Sequence, residues 1–243
     1  MLYPFYHRAR ITKLRQLDTS RSDRDTFNTM VMDIFDTACR NKVRIGGRYI
    51  PNCHAMDGHK YVCMDDLMTE VQSQECIVYS FGIGADFTFE EMMASFGCKV
   101  YAYDPTIDTP KFENANIRFE KIGLSGKISD GKSKTLSEII LQNGHVATKI
   151  SYLKMDIEGT EVYGLLNWMD SGSLTNVQQI AMEYHLNNER TQLYKNFQAA
   201  LRDLQIKENF RIFHWEANLC WKNSEYFDLA EIVLKKVNPQ IPC

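Results

Sequence analysis

From Cys76 onward, short apolar runs alternate with segments whose apolar residues recur at helical spacing. That alternation predicts a mostly parallel sheet covered on both faces, a doubly wound α/β architecture. The runs CIVYSF (76–81), KVYAY (99–103), NIRFEK (116–121), ISYLKM (150–155) and VQQIAMEY (177–184) read as strands. Helices are predicted over about Thr88 to Phe96, Thr135 to Asn143, Thr160 to Met169 and Asn188 to Gln205. The last two runs, NFRIFHW and EYFDLAEIVLKK, are separated by only about ten residues, too few for a right-handed helical crossover. They should form a hairpin, so that the final strand runs antiparallel to the others.

The first 75 residues break this rhythm and read as an annex, residues 1–75, ahead of a main domain over 76–243. Phe27, Met30, Val31, Ile34, Phe35 and Ala38 fall at helical spacing, and a Gly46-Gly47 break follows. Asp57-Gly58 is a hairpin signal, which predicts a ribbon over about 49–63 and then a helix over Asp65 to Gln72. This annex is expected to act as a lid or as a cover for the sheet.

Composition narrows the function classes. A hydrophobic content of 44% over 243 residues suffices for one sizeable core. The net charge of −3 supplies no footprint for nucleic acid, and a small-molecule or carbohydrate acceptor fits better than a polyanion. No apolar run reaches membrane-spanning length, and the opening MLYPFYHRARITKLRQ lacks a signal-peptide core. A soluble chain is expected, in the cytoplasm or, with a leader removed, in the secretory-pathway lumen. The seven cysteines, at 39, 53, 63, 76, 98, 220 and 243, lack zinc spacing. Most are expected reduced and buried, with a Cys53–Cys63 bridge across the ribbon as the one pairing the spacing suggests.

Candidate chemistry sits at the predicted strand ends, where open parallel sheets bind ligands. In YSFGIGADFTFEE, Gly82 and Gly84 allow a tight turn and close approach of a ligand to the backbone, and Asp86 is placed to cap the following helix. The next strand ends in Asp104, about 20 residues beyond the glycines, where a carboxylate can accept both hydroxyls of an adenosine ribose. A solvated acid in an Asp-Pro turn is the plainer alternative. Dinucleotide binding wants a third glycine where Phe87 stands, and Asp86 would repel a phosphate. A sulfonium cofactor meets neither objection.

Two further strand ends carry acids. In YLKMDIEGTE, alternation puts Lys154 and Asp156 on one face, with Glu158 on the same side if the strand persists. Glu161 is adequately explained as an acid in the first helical turn, where it offsets the dipole. In IAMEYHL, Glu183 and His185 share a face and would lie beside Asp156 and Glu158. Carboxylates so gathered repel unless one binds a proton, a metal or a cation. His214, Trp215 and Trp221 of the following segment are placed to border the same cleft or to pack in the core.

Together YSFGIGADFTFEE, VYAYDP, IGLSG, YLKMDIEGTE and AMEYH resemble the methyltransferase-like and FkbM-type families of S-adenosyl-L-methionine-dependent methyltransferases, over about Gly46 to Lys236. The resemblance implies a Rossmann-like, seven-stranded class I methyltransferase sheet with an antiparallel last strand. It places Gly82 and Gly84 at the methionine part of the cofactor, Asp104 at the ribose, Gly123 and Leu124 with Ile122 at adenine, and Asp156 and Glu158 at the methyl-transfer centre. Ser80 and Asp86 depart from the usual glycine loop, at positions where an acid and a third glycine are common. Transfer to a hydroxyl of a sugar or small molecule is expected. It needs a positioned acceptor and a base, for which Asp156 and His185 are favoured, with Glu158 and Glu183 beside them. A divalent metal is not favoured. A nicotinamide-dependent oxidoreductase and a catalytically silent binding domain are the alternatives.

Overall fold

The computed structural model describes residues 39–127, 129–185, 191–218, 220 and 229–237. The helix expected over 26–38 lies outside the described residues. Four short strands come first: β1 (Lys42–Ile45), β2 (Arg48–Ile50), β3 (Ala55–Asp57) and β4 (Lys60–Cys63), followed by helix α1 (Met64–Gln72). β1 pairs with β4 and β2 with β3, both antiparallel, so the strands form two nested ribbons.

Asp57-Gly58 is therefore a connector between the two ribbons and does not turn a hairpin. The inner turn falls at Pro51 to His54, where Cys53 N–H donates to the Ile50 carbonyl and His54 takes φ +52°. Gly46 and Gly47, at φ +70° and +81°, let the outer strand pass into the inner one; a Cβ on Gly46 would lie 2.5 Å from Phe89 N.

The remaining elements alternate as the sequence predicts. They are β5 (Ile77–Phe81), α2 (Thr88–Ser95), β6 (Lys99–Tyr103), β7 (Ile117–Glu120), β8 (Gly123–Ser125), β9 (Ser133–Thr135), α3 (Leu136–Gln142), β10 (Tyr152–Met155), α4 (Thr160–Asp170), β11 (Gln179–His185), α5 (Thr191–Ile206), β12 (Phe210–Ala217) and β13 (Leu229–Lys236). Seven strands form one sheet in the order β12-β13-β11-β10-β5-β6-β7. Only β13, antiparallel to both neighbours, is reversed; last in the chain, it lies second from the edge. β8 and β9 make a separate parallel pair. Strand order reverses between β5 and β10, the switch point at which such sheets bind ligands.

Helix starts follow local chemistry. Thr135 and Glu138 form a reciprocal capping box at α3, and Asp86 accepts the Thr88 N–H at 3.0 Å before α2. α4 begins after Gly159, at φ +100°. Among the described residues, one face of the sheet packs through Tyr79, Leu153 and Met182 against α3, α4 and α5, which contribute Ile139, Trp168 and Phe197. The other packs through Val78, Tyr152, Ala181 and Val233 against α2, β4 and α1. Gln179 ties the ribbon to this second face by exchanging two hydrogen bonds of 2.8 Å with the Cys63 backbone.

The cysteines correct two expectations. Cys63 bridges Cys39, Cys53 bridges Cys220 and Cys76 bridges Cys98, with Cα separations of 5.7, 4.9 and 4.6 Å. These cysteines are oxidised, and Cys53 and Cys63 are not partners because they belong to different ribbons. The pairing of Lys42 with Cys63 brings Cys39 to the latter, while the inner turn carries Cys53 toward the end of β12.

Candidate active site

The carboxyl ends of β5, β6 and β10 open onto a cavity of about 810 Å³, within the usual range for a small-molecule site. Gly82 and Gly84, at φ +69° and +56°, form its floor. A Cβ on Gly82 would come 1.7 Å from the Asp156 carbonyl oxygen, whereas one on Gly84 would meet nothing within 4 Å. The first glycine thus lets two strand ends touch, and the second leaves space for a ligand.

Asp104, at the end of β6, is buried at 4% exposure and lines the same cavity. One of its oxygens accepts the Gly84 N–H at 2.9 Å, and the other accepts from Thr106 N and Oγ1 at 2.7 and 2.6 Å. Burial works to raise its pKa, but these hydrogen bonds outweigh it and hold the carboxyl below the ordinary range. Asp104 is thus fixed as an anion at the mouth of the glycine turn. Gly123 and Leu124 of β8 line the same cavity with Lys132 and Ser133. Asp86 reaches the cavity beside Gly58, and its second oxygen is buried without a hydrogen-bond partner.

Below the cavity lies a buried polar set that departs from the usual glycine loop. Lys154 Nζ, also on the cavity wall, lies 3.2 Å from Glu90 Oε1 and 3.4 Å from the Gly82 carbonyl, and Ser80 Oγ donates to the same Glu90 oxygen. Glu90 from α2 thus supplies a carboxylate beneath the loop, though Ser80 stands where an acid is usual.

The acids of the two central strand ends do come together. Among the described residues, Asp156, Glu158 and His185 bring ligand atoms within 4.8 Å of one another, and so do Asp156, Glu183 and Glu231. β10 ends at Met155, so Glu158 does not continue its alternation. It takes φ +56°, keeps 86% of its side chain exposed, and reaches His185 Nε2 at 3.4 Å.

Glu161 is more than a helix-start acid. It is fully buried; its Oε1 accepts the Gly159 N–H at 3.0 Å and lies 3.2 Å from His185 Nδ1. A buried carboxylate on Nδ1 fixes the imidazole and directs Nε2 toward Glu158. The i+5 spacing from Asp156 hides this, because it becomes visible only when β11 lies beside the start of α4. Trp215 faces the opposite side of the sheet, where its indole N–H donates to Tyr184 Oη at 2.9 Å. His214 packs against Tyr61 with the rings tilted and approaches Glu216 at 3.2 Å, and Trp221 lies outside the described residues.

Lys60 of β4 belongs to none of the motifs. Its side chain is 1% exposed, lies 3.5 Å from Asp156 Oδ2, and pairs closely with Glu231. Its one trace in the sequence is a lysine two residues before Val62, on the inward side of a strand that also buries Cys63.

Burial raises the Glu183 pKa, and the adjacent Asp156 charge adds to it, bringing Glu183 to about 7. Burial acts on Asp156 too, but Lys60 and Lys154 prevail and hold it low. For His185, burial lowers the pKa, yet Glu161, followed by Glu183 and Glu158, lifts it to about 9. A folded pKa raised above the ordinary value gives stability that is present at low pH and lost as pH rises through the folded value. Melting temperature should therefore fall with pH, through Glu183 from about 4.5 to about 7 and through His185 from about 6.5 to about 9. Glu161→Gln should flatten the upper part of that fall. An unchanged slope above neutral pH in Glu161→Gln would dismiss the Glu161–His185 pairing.

Residues 15–233 match a family model described as a methyltransferase domain. Two curated relatives, the probable methyltransferase-like protein 24 of Homo sapiens and of Rattus norvegicus, are 27% and 26% identical over 174 residues, 63% of this chain. The chain spans about half the length of these relatives, the matched part being 47% of each. Among solved structures, a putative methyltransferase from Streptococcus mutans in complex with SAH aligns with a TM-score of 0.40 at 12% identity, covering 71% of this chain and 93% of that one. The fibrillarin pre-rRNA processing protein of Methanococcus jannaschii aligns with a TM-score of 0.39 at 12% identity, covering 67% and 66%. With nearly all of the sheet and its strand-end acids inside the matched span, the chain belongs to the methyltransferase-domain family.

Proposed function

We propose that this chain is an S-adenosyl-L-methionine-dependent methyltransferase acting on a hydroxyl of a sugar or small molecule, as its FkbM-type motifs suggest. The observation that carries the reading is the continuity of the glycine-floored cavity, anchored by Asp104, with the Asp156–Glu183 pair at the switch point. The cofactor supplies a methyl group on a sulfonium. Gly82 and Gly84 would admit its methionine part, Asp104 would accept the ribose hydroxyls, and Gly123 and Leu124 would flank the adenine. Asp86 and Asp156 place carboxylates in a cavity whose ligand is cationic.

The acceptor hydroxyl must lose a proton, and the pKa order bears on which group takes it. Asp156 is held too low to be an effective base, and His185 is held protonated at neutral pH. Glu183, near 7, is matched to the task, so the base is assigned to Glu183 in preference to Asp156 or His185. Asp156 shares a hydrogen bond with Glu183 while Glu183 is protonated and its charge raises the Glu183 pKa, and Glu158 and His185 pair beside them. Of the annex, the described strands β1 to β4 serve as a cover over the acceptor end, to which β4 contributes Lys60. Three disulfides favour folding in the secretory-pathway lumen. Among the described residues no helix is long and apolar enough to cross a membrane.

Thermal unfolding with S-adenosylhomocysteine, with NAD and with neither tests the cofactor reading. A ligand at 100 times its Kd adds about 2.7 kcal/mol. S-adenosylhomocysteine should stabilise and NAD should not, and Asp104→Ala should remove the effect while the unliganded melt stays cooperative. Stabilisation by NAD alone would end the methyltransferase reading of this site.

A further inference from the structure

Beside the main cavity lies a second one of about 30 Å³, enough for one or two water-sized groups, lined by Gly58, His59, Glu183, Glu216, Asn218 and Glu231 among others. Gly58 lines both cavities, and the Asp156–Glu183 hydrogen bond joins them. Register explains the concentration of acid. Glu183 of β11 lies directly opposite Glu231 of β13, which lies directly opposite Glu216 of β12. Like charges so placed across strands repel, and Asp156 extends the row onto β10.

Lys60 answers part of this charge by pairing with Asp156 and Glu231. Hydrogen-bond capacity is left over. His59 is buried at 6% exposure, its Nε2 lies 3.4 Å from Glu216 Oε2, and its Nδ1 has no partner. When Nε2–H donates to Glu216, the Nδ1 of a neutral ring is an acceptor. Glu231, buried at 9% exposure, likewise has Oε2 without a partner. His59, in its neutral form, and Glu231 thus both line one small cavity with acceptors that lack a donor.

Resting on the methyltransferase reading, we propose that this cavity is an acceptor subsite for a primary ammonium, so that the methylated molecule is an amino alcohol or amino sugar. An ammonium carries three donors and a positive charge, which matches a small pocket of surplus acceptors and carboxylates. A neutral hydroxyl brings one donor and no charge, and an anionic acceptor would meet the row of Glu183, Glu231 and Glu216. The amine is an anchor, and the hydroxyl beside it faces Glu183 at the junction with the cofactor cavity.

Calorimetric titration of glucosamine, glucose and glucuronate into protein loaded with S-adenosylhomocysteine, at one ionic strength, tests this. Glucosamine should bind about tenfold tighter than glucose, the value of one charge-assisted contact, and glucuronate should give no signal. Glu216→Gln, at the more exposed end of the row, should shrink the glucosamine preference while the S-adenosylhomocysteine affinity is unchanged. Glu231→Gln should do the same if it folds. Equal binding of glucose and glucosamine would mean the pocket holds water only and would overturn the proposal. So would absence of binding by all three, or a preference untouched in Glu216→Gln. Failure of S-adenosylhomocysteine to bind would instead strike the cofactor reading, and the same sugars titrated without it would still report on the amine subsite.

Discussion

Glu183→Gln should lower turnover on an identified acceptor by about 10²–10⁴-fold, the usual contribution of a positioned general base, while affinity for S-adenosylhomocysteine changes little. Glu183 lines the small cavity and shares a hydrogen bond with Asp156, and burial with that neighbouring charge brings its pKa to about 7. Wild-type turnover should therefore rise with pH through about 7 as the carboxyl ionises. The amide keeps the shape and the Asn218 contact, which the wild type makes through Glu183 Oε1 at 2.7 Å, but it cannot take a proton. Turnover within a factor of about three of wild type, with the same pH profile, would move the base elsewhere. Asp156→Asn tests the partner: loss of the neighbouring charge should shift the pH midpoint downward, because the Asp156 charge helps to raise Glu183. A midpoint that stays in place would separate the two acids.

Gly82→Ala should cost about 2–6 kcal/mol, combining strain at positive φ with steric overpacking. The added Cβ would lie 1.7 Å from the Asp156 carbonyl oxygen, a backbone atom that cannot rotate away. β5 and β10 would have to separate at the switch point, and the Asp156–Glu183 geometry would go with them. Gly84→Ala is the matched control. It meets nothing within 4 Å, so it should cost only the backbone strain of φ +56°, about 1–2 kcal/mol. Denaturant midpoints for the two variants check the contrast. Equal losses would show that conformational freedom, not the close approach of two strand ends, is what the first glycine provides.

The agreement between sequence and structure follows the range of the forces involved. The strands at 99–103 and the helix starting at Thr88 are written in local periodicity and punctuation, and they appear where the pattern puts them. The reversed last strand was also legible, because a connection too short for a crossover leaves a hairpin as the only route. Asp104 and the glycine turn are joined by the βαβ geometry itself, which brings strand ends about 20 residues apart side by side.

Other features depend on register and on packing between segments distant in sequence. Asp57-Gly58 has the composition of a hairpin turn, but Gly46-Gly47 allows β1 to pass over Phe89 into β2, and the nested pairing redirects the connector. That choice moved the disulfides as well, since the partner of a cysteine is whichever one the ribbon register delivers. Glu161 carried a sufficient local explanation as a helix-start acid, which concealed its pairing with a histidine 24 residues away.

By itself the sequence determined the doubly wound sheet, the glycine turn, Asp104 and the presence of acids at two central strand ends, because each follows from local pattern and βαβ geometry. Only the tertiary structure decided that Lys60 sits between Asp156 and Glu231 and that Glu183, Glu231 and Glu216 stand in one row. The physical reason is that burial and neighbouring charge set what a carboxylate does, and both are created by strand register and by the ribbon folded over the sheet.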